Sequence, residues 1–142
     1  MLFDYSTVTP ESITTDLDQV LARADAIIDE VAASSAAPTY DSVLGRLEDV
    51  ADMTAALFGR TGFMGYVHPD EETRTTGQQL EERISKWGIE ITFRPDLYAA
   101  VKAFAESDEA GALTGEKARL LEFTMRDFRK AGHELAETDQ AR

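Results

Sequence analysis

Cysteine is absent from the 142 residues, so neither a disulfide framework nor thiolate chemistry is open to this chain. Histidine is almost absent: His68 and His133 are the two present, and neither has a second histidine four residues on. A His-Glu-x-x-His zinc helix is therefore excluded. Basic residues are scarce, 14 Lys and Arg against 27 Asp and Glu, and the net charge of −13 repels phosphate backbones and anionic lipid surfaces. Neither nucleic acid nor a membrane is an expected partner. The opening MLFDYSTVTPES lacks a basic stretch and a long apolar run, so it shows no signal peptide or membrane span, and a cytoplasmic setting is expected. No Ser-His-Asp arrangement, glycine-rich phosphate loop or pair of catalytic carboxylates can be argued from the remaining residues.

What is present is helical periodicity. With 43% hydrophobic residues the chain can build a modest core, and residues 1–142 are expected to form a single all-α domain, a bundle of about five helices in antiparallel hairpins. Thr14 or Thr15 is placed to cap a first helix, on which Leu17, Val20, Leu21, Ala24, Ile27, Ile28 and Val31 form one stripe. Ser34 to Pro38 breaks it. Thr39 then caps a second helix carrying Val43, Leu44, Leu47, Ala51, Thr54 and Phe58 on one face, and the two are expected to pair as a hairpin. Asp70 opens a third helix with Leu80, Ile84 and Trp87 inward, and Phe93-Arg94-Pro95 separates it from a fourth bearing Leu97, Tyr98, Val101 and Phe104. Ile89, Ile91 and Phe93 alternate with polar residues as a strand would, but no second strand is evident, so this segment reads as the frayed end of the third helix. Gly59, Gly62 and Gly65 weaken the helical signal between the second and third helices.

The clearest element is LTGEKARLLEFTMRDFRKAGHEL, residues 113–135. Thr114 suits the N-cap and Glu116 the first turn; Ala118, Leu121, Met125, Phe128 and Ala131 recur at helical spacing; Arg126, Arg129 and Lys130 favour the carbonyl end, and Gly132 suits the stop. Its Leu113, Glu116, Arg119, Leu120, Leu121, Arg126, Asp127, Phe128, Gly132 and Leu135 match a pattern L-x-x-E-x-x-R-L-L-x-x-x-x-R-D-F-x-x-x-G-x-x-L. That stretch resembles the N-terminal helical region of the zinc oligopeptidases of the thimet oligopeptidase, oligopeptidase A and peptidyl-dipeptidase family. Pro38-Thr39-Tyr40 with Val43-Leu44, the run from His68 and Pro69 to Arg74, and Asp96-Leu97-Tyr98 resemble three further signals of that family, in the same order.

The resemblance implies a peptide hydrolase whose zinc, held by a His-Glu-x-x-His helix and a downstream Glu, activates water. This sequence carries no such helix, so the chain is expected to be an N-terminal piece of a larger peptidase. Zinc is expected in the missing catalytic domain and no cofactor in this chain. The implied partners are the parent's own catalytic domain and short peptides, with the helices forming one wall of a channel that excludes folded proteins. The family also continues a helix through the region of Gly59, Gly62 and Gly65, where missing side chains would let a neighbouring backbone approach; a flexible break is the other reading. Thr138 to Arg142 resembles the opening of another helix. The alternative function is a stand-alone helical module that binds a partner through an apolar face.

No catalytic, cofactor-binding or metal residue is assigned. His68 is expected at the surface or capping a helix entrance, His133 at the surface, and Asp70, Glu71 and Glu72 at a helix start, where the dipole accounts for them. Trp87, Tyr98, Phe104, Phe123 and Phe128 read as core or interface aromatics. Residues 1–59 carry eleven acids and two bases, whereas residues 114–132 carry three acids and five bases; this unevenness reads as a solvated charged surface. Cutting away a catalytic body would bare an apolar patch, expected near Leu135 and Phe123, through which the fragment self-associates.

Overall fold

The computed structural model describes residues 3–135, and among them every regular element is helical. A single 3-10 turn, Tyr5–Thr7, precedes α1, Pro10–Ala33; α2 is Arg46–Leu57, α3 Met64–Val67, α4 Glu71–Thr92, α5 Pro95–Ala105, α6 Asp108–Gly111 and α7 Gly115–Lys130. Two π-helical turns, Asp41–Gly45 and Phe58–Gly62, flank α2. The chain gathers into two compact units: residues up to Ala26 with Asp49–Gly88, and Ile27–Glu48 with the chain from Ile89 onward. The helices α1 and α4 contribute residues to both.

The first unit is centred on Val8, Ile13, Leu17, Leu57, Met64 and Leu80, with Val20, Leu21 and Ile84 partly buried against them. Its first helix begins a full turn before Thr14. Pro10 is pre-organised for the first helical position, and Thr9 and Ser12 exchange hydrogen bonds, Ser12 N–H to Thr9 Oγ1 at 3.1 Å and Thr9 N–H to Ser12 Oγ at 2.9 Å. This earlier start carries Ile13 into the core at 0% exposure. The α1 and α4 helices run parallel: Arg83 meets Asp18 at 2.8 Å and Trp87 Nε1 donates to Asp25 at 2.7 Å, the two positions rising together on both helices. Phe58, assigned to the buried face of the second helix, is 36% exposed, because the π turn that starts at this residue carries it off the α2 stripe.

The glycines after α2 do not break the chain. It continues through the Phe58–Gly62 π turn into α3, and there Gly65 lies against Gly77 of α4. A Cβ on Gly77 would stand 2.5 Å from Gly65 N, and one on Gly65 would stand 2.9 Å from Gln78 N. The backbones touch, and Gln78 Nε2 donates across the contact to the Gly65 carbonyl at 3.2 Å. Asp70 caps α4 as expected, accepting from Thr73 N–H and Oγ1, both at 2.8 Å, and these bonds hold its carboxyl below the usual range. The helix runs regularly to Thr92, so Trp87 to Thr92 is neither frayed nor extended.

The second unit buries Ile27, Ile28 and Val31 of α1, Tyr40, Val43 and Leu44 at the entrance to α2, Leu97, Val101 and Phe104 of α5, Ala110 of α6 and Phe128 of α7. Thr39 and Ser42 cap the second helix by the same exchange seen at α1, at 2.9 and 3.1 Å. Arg94, ahead of Pro95, grips Asp96 through Nε at 3.0 Å and Nη2 at 2.7 Å and reaches Asp29 with Nη1 at 2.6 Å. This fork holds the Asp96 carboxyl down at about 2. The single-turn α6 is an addition to the sequence reading: Ser107 Oγ accepts from Ala110 N–H at 3.2 Å, and Glu109 accepts from Tyr40 N–H at 3.1 Å. The last helix is shorter than residues 113–135 suggest. Gly132 adopts φ +92°, and His133 N–H closes back onto the Phe128 carbonyl at 3.3 Å, which terminates α7. Of its expected core stripe only Phe128 is buried, while Ala118, Leu121 and Met125 are half-buried. The expected helix start at Thr138 lies outside the described residues.

The Gly65–Gly77 contact separates two substitutions of the same chemistry. Gly77→Ala is expected to lower the unfolding free energy by about 1–3 kcal/mol, since backbone must move. At Gly88 an added Cβ meets nothing within 4 Å, so Gly88→Ala is expected to raise stability by about 0.5–1 kcal/mol. Urea unfolding of the two variants checks both signs, and equal effects would refute the contact. Tyr40 gives a second test. Burial, followed by its hydroxyl bond to Glu48 at 2.9 Å, pushes the phenol up to about 12. A folded value above the unfolded one of about 10 means that the protonated ring stabilises the fold fully below pH 10 and loses that contribution between pH 10 and 12. The stability advantage of the native chain over Tyr40→Phe should therefore shrink across that window, as measured by denaturant titration at each pH.

Candidate functional site

Among the described residues no three His, Cys, Asp or Glu side chains come together in a way that could hold a metal ion. The two histidines serve structural contacts, one within a turn and one across the second unit. His68 Nδ1 accepts from Asp70 N–H at 3.1 Å, while Arg74 Nη1 donates to the carbonyls of His68 and Pro69, each at 2.8 Å. These bonds fix the turn between α3 and α4. His133 is half-buried rather than on the open surface: its ring stacks on Tyr98 at 4.8 Å, meets Phe128 edge-on at 5.5 Å, and places Nε2 2.7 Å from the Thr92 carbonyl. Gly132 in its left-handed conformation turns the chain back, and that reversal brings His133 over α5. Asp70 is a cap, and Glu71 and Glu72 are exposed in the first turn of α4.

The aromatic residues divide. Phe104 and Phe128 are core, Tyr98 and Trp87 half-buried. Phe123 is half-buried, with the guanidinium carbons of Arg119 and Arg126 5.2 and 4.6 Å from its ring centre, so it is not part of a bare patch.

Leu135, the other residue expected in such a patch, is 53% exposed, and Ile89 and Phe93 of the second unit are 59% and 58% exposed. A further exposed apolar surface lies in the first unit. Phe63, Tyr66 and Val67 are 46%, 59% and 53% exposed, and Tyr5 is 45% exposed. A cavity of about 650 Å³ opens among Tyr5, Ser6, Phe63, Met64, Val67, His68 and Pro69. Tyr5 is anchored at its rim by donating to the Gly59 carbonyl at 3.2 Å. Sequence reading missed this site because Phe63, Tyr66 and Val67 lie among glycines; the signal was three large apolar residues on a short helical turn whose inward positions are Met64 and Gly65. A concave apolar surface with few polar groups is suited to receiving an apolar side chain or a packed neighbour, not to bond-making chemistry.

No helix of the described residues is long and apolar enough to cross a membrane. Two relatives align with nearly the whole chain. Oligopeptidase A of Salmonella typhimurium is 21% identical over 138 residues, which cover 97% of this chain and 20% of that protein. Oligopeptidase A of Escherichia coli gives the same identity and coverage, so the chain spans about a fifth of the length of these relatives. Residues 14–140 match the family model described as Neurolysin/Thimet oligopeptidase, N-terminal domain, and the chain belongs to that family.

Proposed function

We propose that this chain is the N-terminal domain of a zinc-dependent oligopeptidase or peptidyl-dipeptidase, forming one wall of the passage through which short unstructured peptides reach the zinc. The observation that carries this reading is the family match over residues 14–140 in a chain that spans 20% of its relatives' length. The side chains agree: His68 is engaged in a local turn and His133 is packed on Tyr98 and Phe128, and the described residues do not fit zinc, so no step of hydrolysis is derived through them. Chemistry then belongs to a catalytic domain, with this chain governing access. A cytoplasmic setting is part of the proposal, and a sequence without cysteine is compatible with it.

The test compares the complete polypeptide encoded with this chain and the 142 residues alone, each assayed for zinc retained after dialysis and for cleavage of an internally quenched peptide. The complete product is expected to hold zinc and to lose cleavage with a chelator, and the 142-residue chain to do neither. Stoichiometric zinc or chelator-sensitive cleavage in the short chain would overturn the division of labour. A complete product without zinc would favour the stand-alone interaction module.

The bare surface at Phe63, Tyr66 and Val67 generates a second outcome. Alone and concentrated, the chain is expected to self-associate there, and more so as salt screens a charge of −13 over a Debye length of about 8–10 Å. Phe63→Ser with Val67→Ser should remove the association. Sedimentation as a strict monomer at millimolar concentration in low and high salt would rule it out.

A further inference from the structure

Five arginines of this acidic chain are held by carboxylates or carbonyls among the described residues. Arg46 meets Glu30, Arg83 meets Asp18, Arg94 meets Asp29 and Asp96, Arg126 meets Asp127, and Arg74 caps two carbonyls. Arg23, Arg60, Arg119 and Arg129 are not so engaged; Arg119 lies over the Phe123 ring and Arg129 on the exposed side of α7, which leaves Arg23 and Arg60 as the pair in the first unit. Neither forms a hydrogen bond or ion pair among the described residues, and both are exposed in the first unit. The sequence already withholds partners. The positions three and four residues to either side are Gln19, Val20, Ala26 and Ile27 for Arg23, and Ala56, Leu57, Phe63 and Met64 for Arg60, with no carboxylate in either set.

The two arginines line one surface cleft of about 360 Å³, together with Gln19 and Val20 of α1 and Met53 and Ala56 of α2. No acidic residue lines it, in a chain with 27 Asp and Glu. Arg60 reaches it from the Phe58–Gly62 π turn, a local geometry found frequently at functional sites. Two unpaired forks above Val20, Met53 and Ala56 form a positively charged opening with an apolar floor. Guanidinium groups recognise carboxylates bidentately, and the apolar floor accepts an aliphatic neighbour of that carboxylate. Because the surrounding charge is negative, this local reversal of sign selects the position at which an acidic group settles.

We propose that the Arg23–Arg60 cleft is a binding subsite for oligopeptides that carry an acidic side chain beside an aliphatic one. The carboxylate sits between the two guanidinium groups and the aliphatic side chain over Val20 and Met53. That the occupant is a peptide rests on the oligopeptidase reading given above; the charge and shape of the cleft do not.

The test is an amide chemical-shift titration of the 142-residue chain with the blocked peptide acetyl-Gly-Glu-Leu-Gly-amide, whose only carboxylate is the glutamate side chain, and with its Gln counterpart. Shifts are expected to concentrate on residues 19–23 and 53–60, to weaken at least fivefold as salt is raised from 20 to 300 mM, and to fall at least tenfold in affinity for the Gln peptide. Arg23→Gln with Arg60→Gln should cause the same tenfold loss, with an unchanged melting temperature showing that the fold persists. If melting falls, Arg23→Lys with Arg60→Lys, which keeps charge but not the fork, is read instead and should lose affinity at least threefold. Equal affinity for the Glu and Gln peptides, shifts centred on Tyr5 and Phe63, or no binding at millimolar peptide would overturn the subsite. The titration needs no zinc and no catalysis, so it can fail while the peptidase reading stands, and the reverse.

Discussion

Backbone-to-backbone contact at Gly65 and Gly77 is the constraint on which the first unit depends. Where two helices touch through glycine backbone, their crossing is restrained, because there is no room for a side chain between them. Gly62 extends the same close crossing: a Cβ there would stand 2.7 Å from the Phe58 ring and 3.0 Å from Leu80 Cδ2. Thr61, Gly62, Met64 and Gly65 thus face inward and are buried, which leaves Phe63, Tyr66 and Val67 no direction but outward. The exposed apolar surface beside Tyr5 is a consequence of how tightly the other face is packed. Its position next to His68 follows too, since α3 ends there and Arg74 ties the turn down.

Polar groups serve this packing more than they drive it. No buried side-chain nitrogen or oxygen among the described residues lacks a hydrogen-bond partner; Thr61 donates to the Leu57 carbonyl at 3.1 Å and Thr73 to Asp70 at 2.8 Å. An unpaired hydroxyl in either place would cost about 1–3 kcal/mol, more than a bond returns once made. The ion pairs are mostly exposed, and each is worth roughly 0–1 kcal/mol. Arg94 stands apart because it is the least exposed of these basic partners, at 26%, and pairs with two carboxylates at once. It fixes the start of α5 in the second unit, a position that Pro95 alone would leave to its φ preference.

Helix starts and stops written in short-range chemistry were legible in the sequence. Asp70 with Thr73, Thr39 with Ser42, Pro95, and Gly132 each act within four residues, and each lies where the pattern placed it. The start of α1 was misread because threonines at 9, 14 and 15 offer similar caps; Pro10, the Thr9–Ser12 exchange and burial of Ile13 together decide for the first. Alternation at Ile89, Ile91 and Phe93 imitates a strand, yet with no second strand to supply ladder bonds the backbone satisfies itself as helix. Phe58 and Phe123 failed for a different reason. A π turn rotates one off its stripe, and two arginines cover the other, and neither event leaves a periodic signal. The apolar cavity was equally hidden, since its walls come from residues 5–6 and 63–69 and its existence depends on a glycine contact between residues 65 and 77.

These structural commitments bear on what the chain can do chemically. A catalytic group needs a perturbed environment together with access to a reacting atom. Asp96 is perturbed but spent on Arg94, Tyr40 is perturbed but buried against Glu48, and Asp70 is perturbed because it caps α4. Each of these three perturbations traces to folding: Asp70 lines a surface cleft with Glu71 and Glu72, but its shift comes from the bonds by which it caps α4. The surfaces left uncommitted are of another kind: apolar side chains around Tyr5 and Phe63, and the two guanidinium groups of Arg23 and Arg60. Such surfaces can position a chain, exclude one, or hold a neighbour, and they act through contact area and charge. On the proposed reading, selection of peptides by length and side chain is a task that needs no more than this, which allows the reactive chemistry to be carried by a different part of the polypeptide.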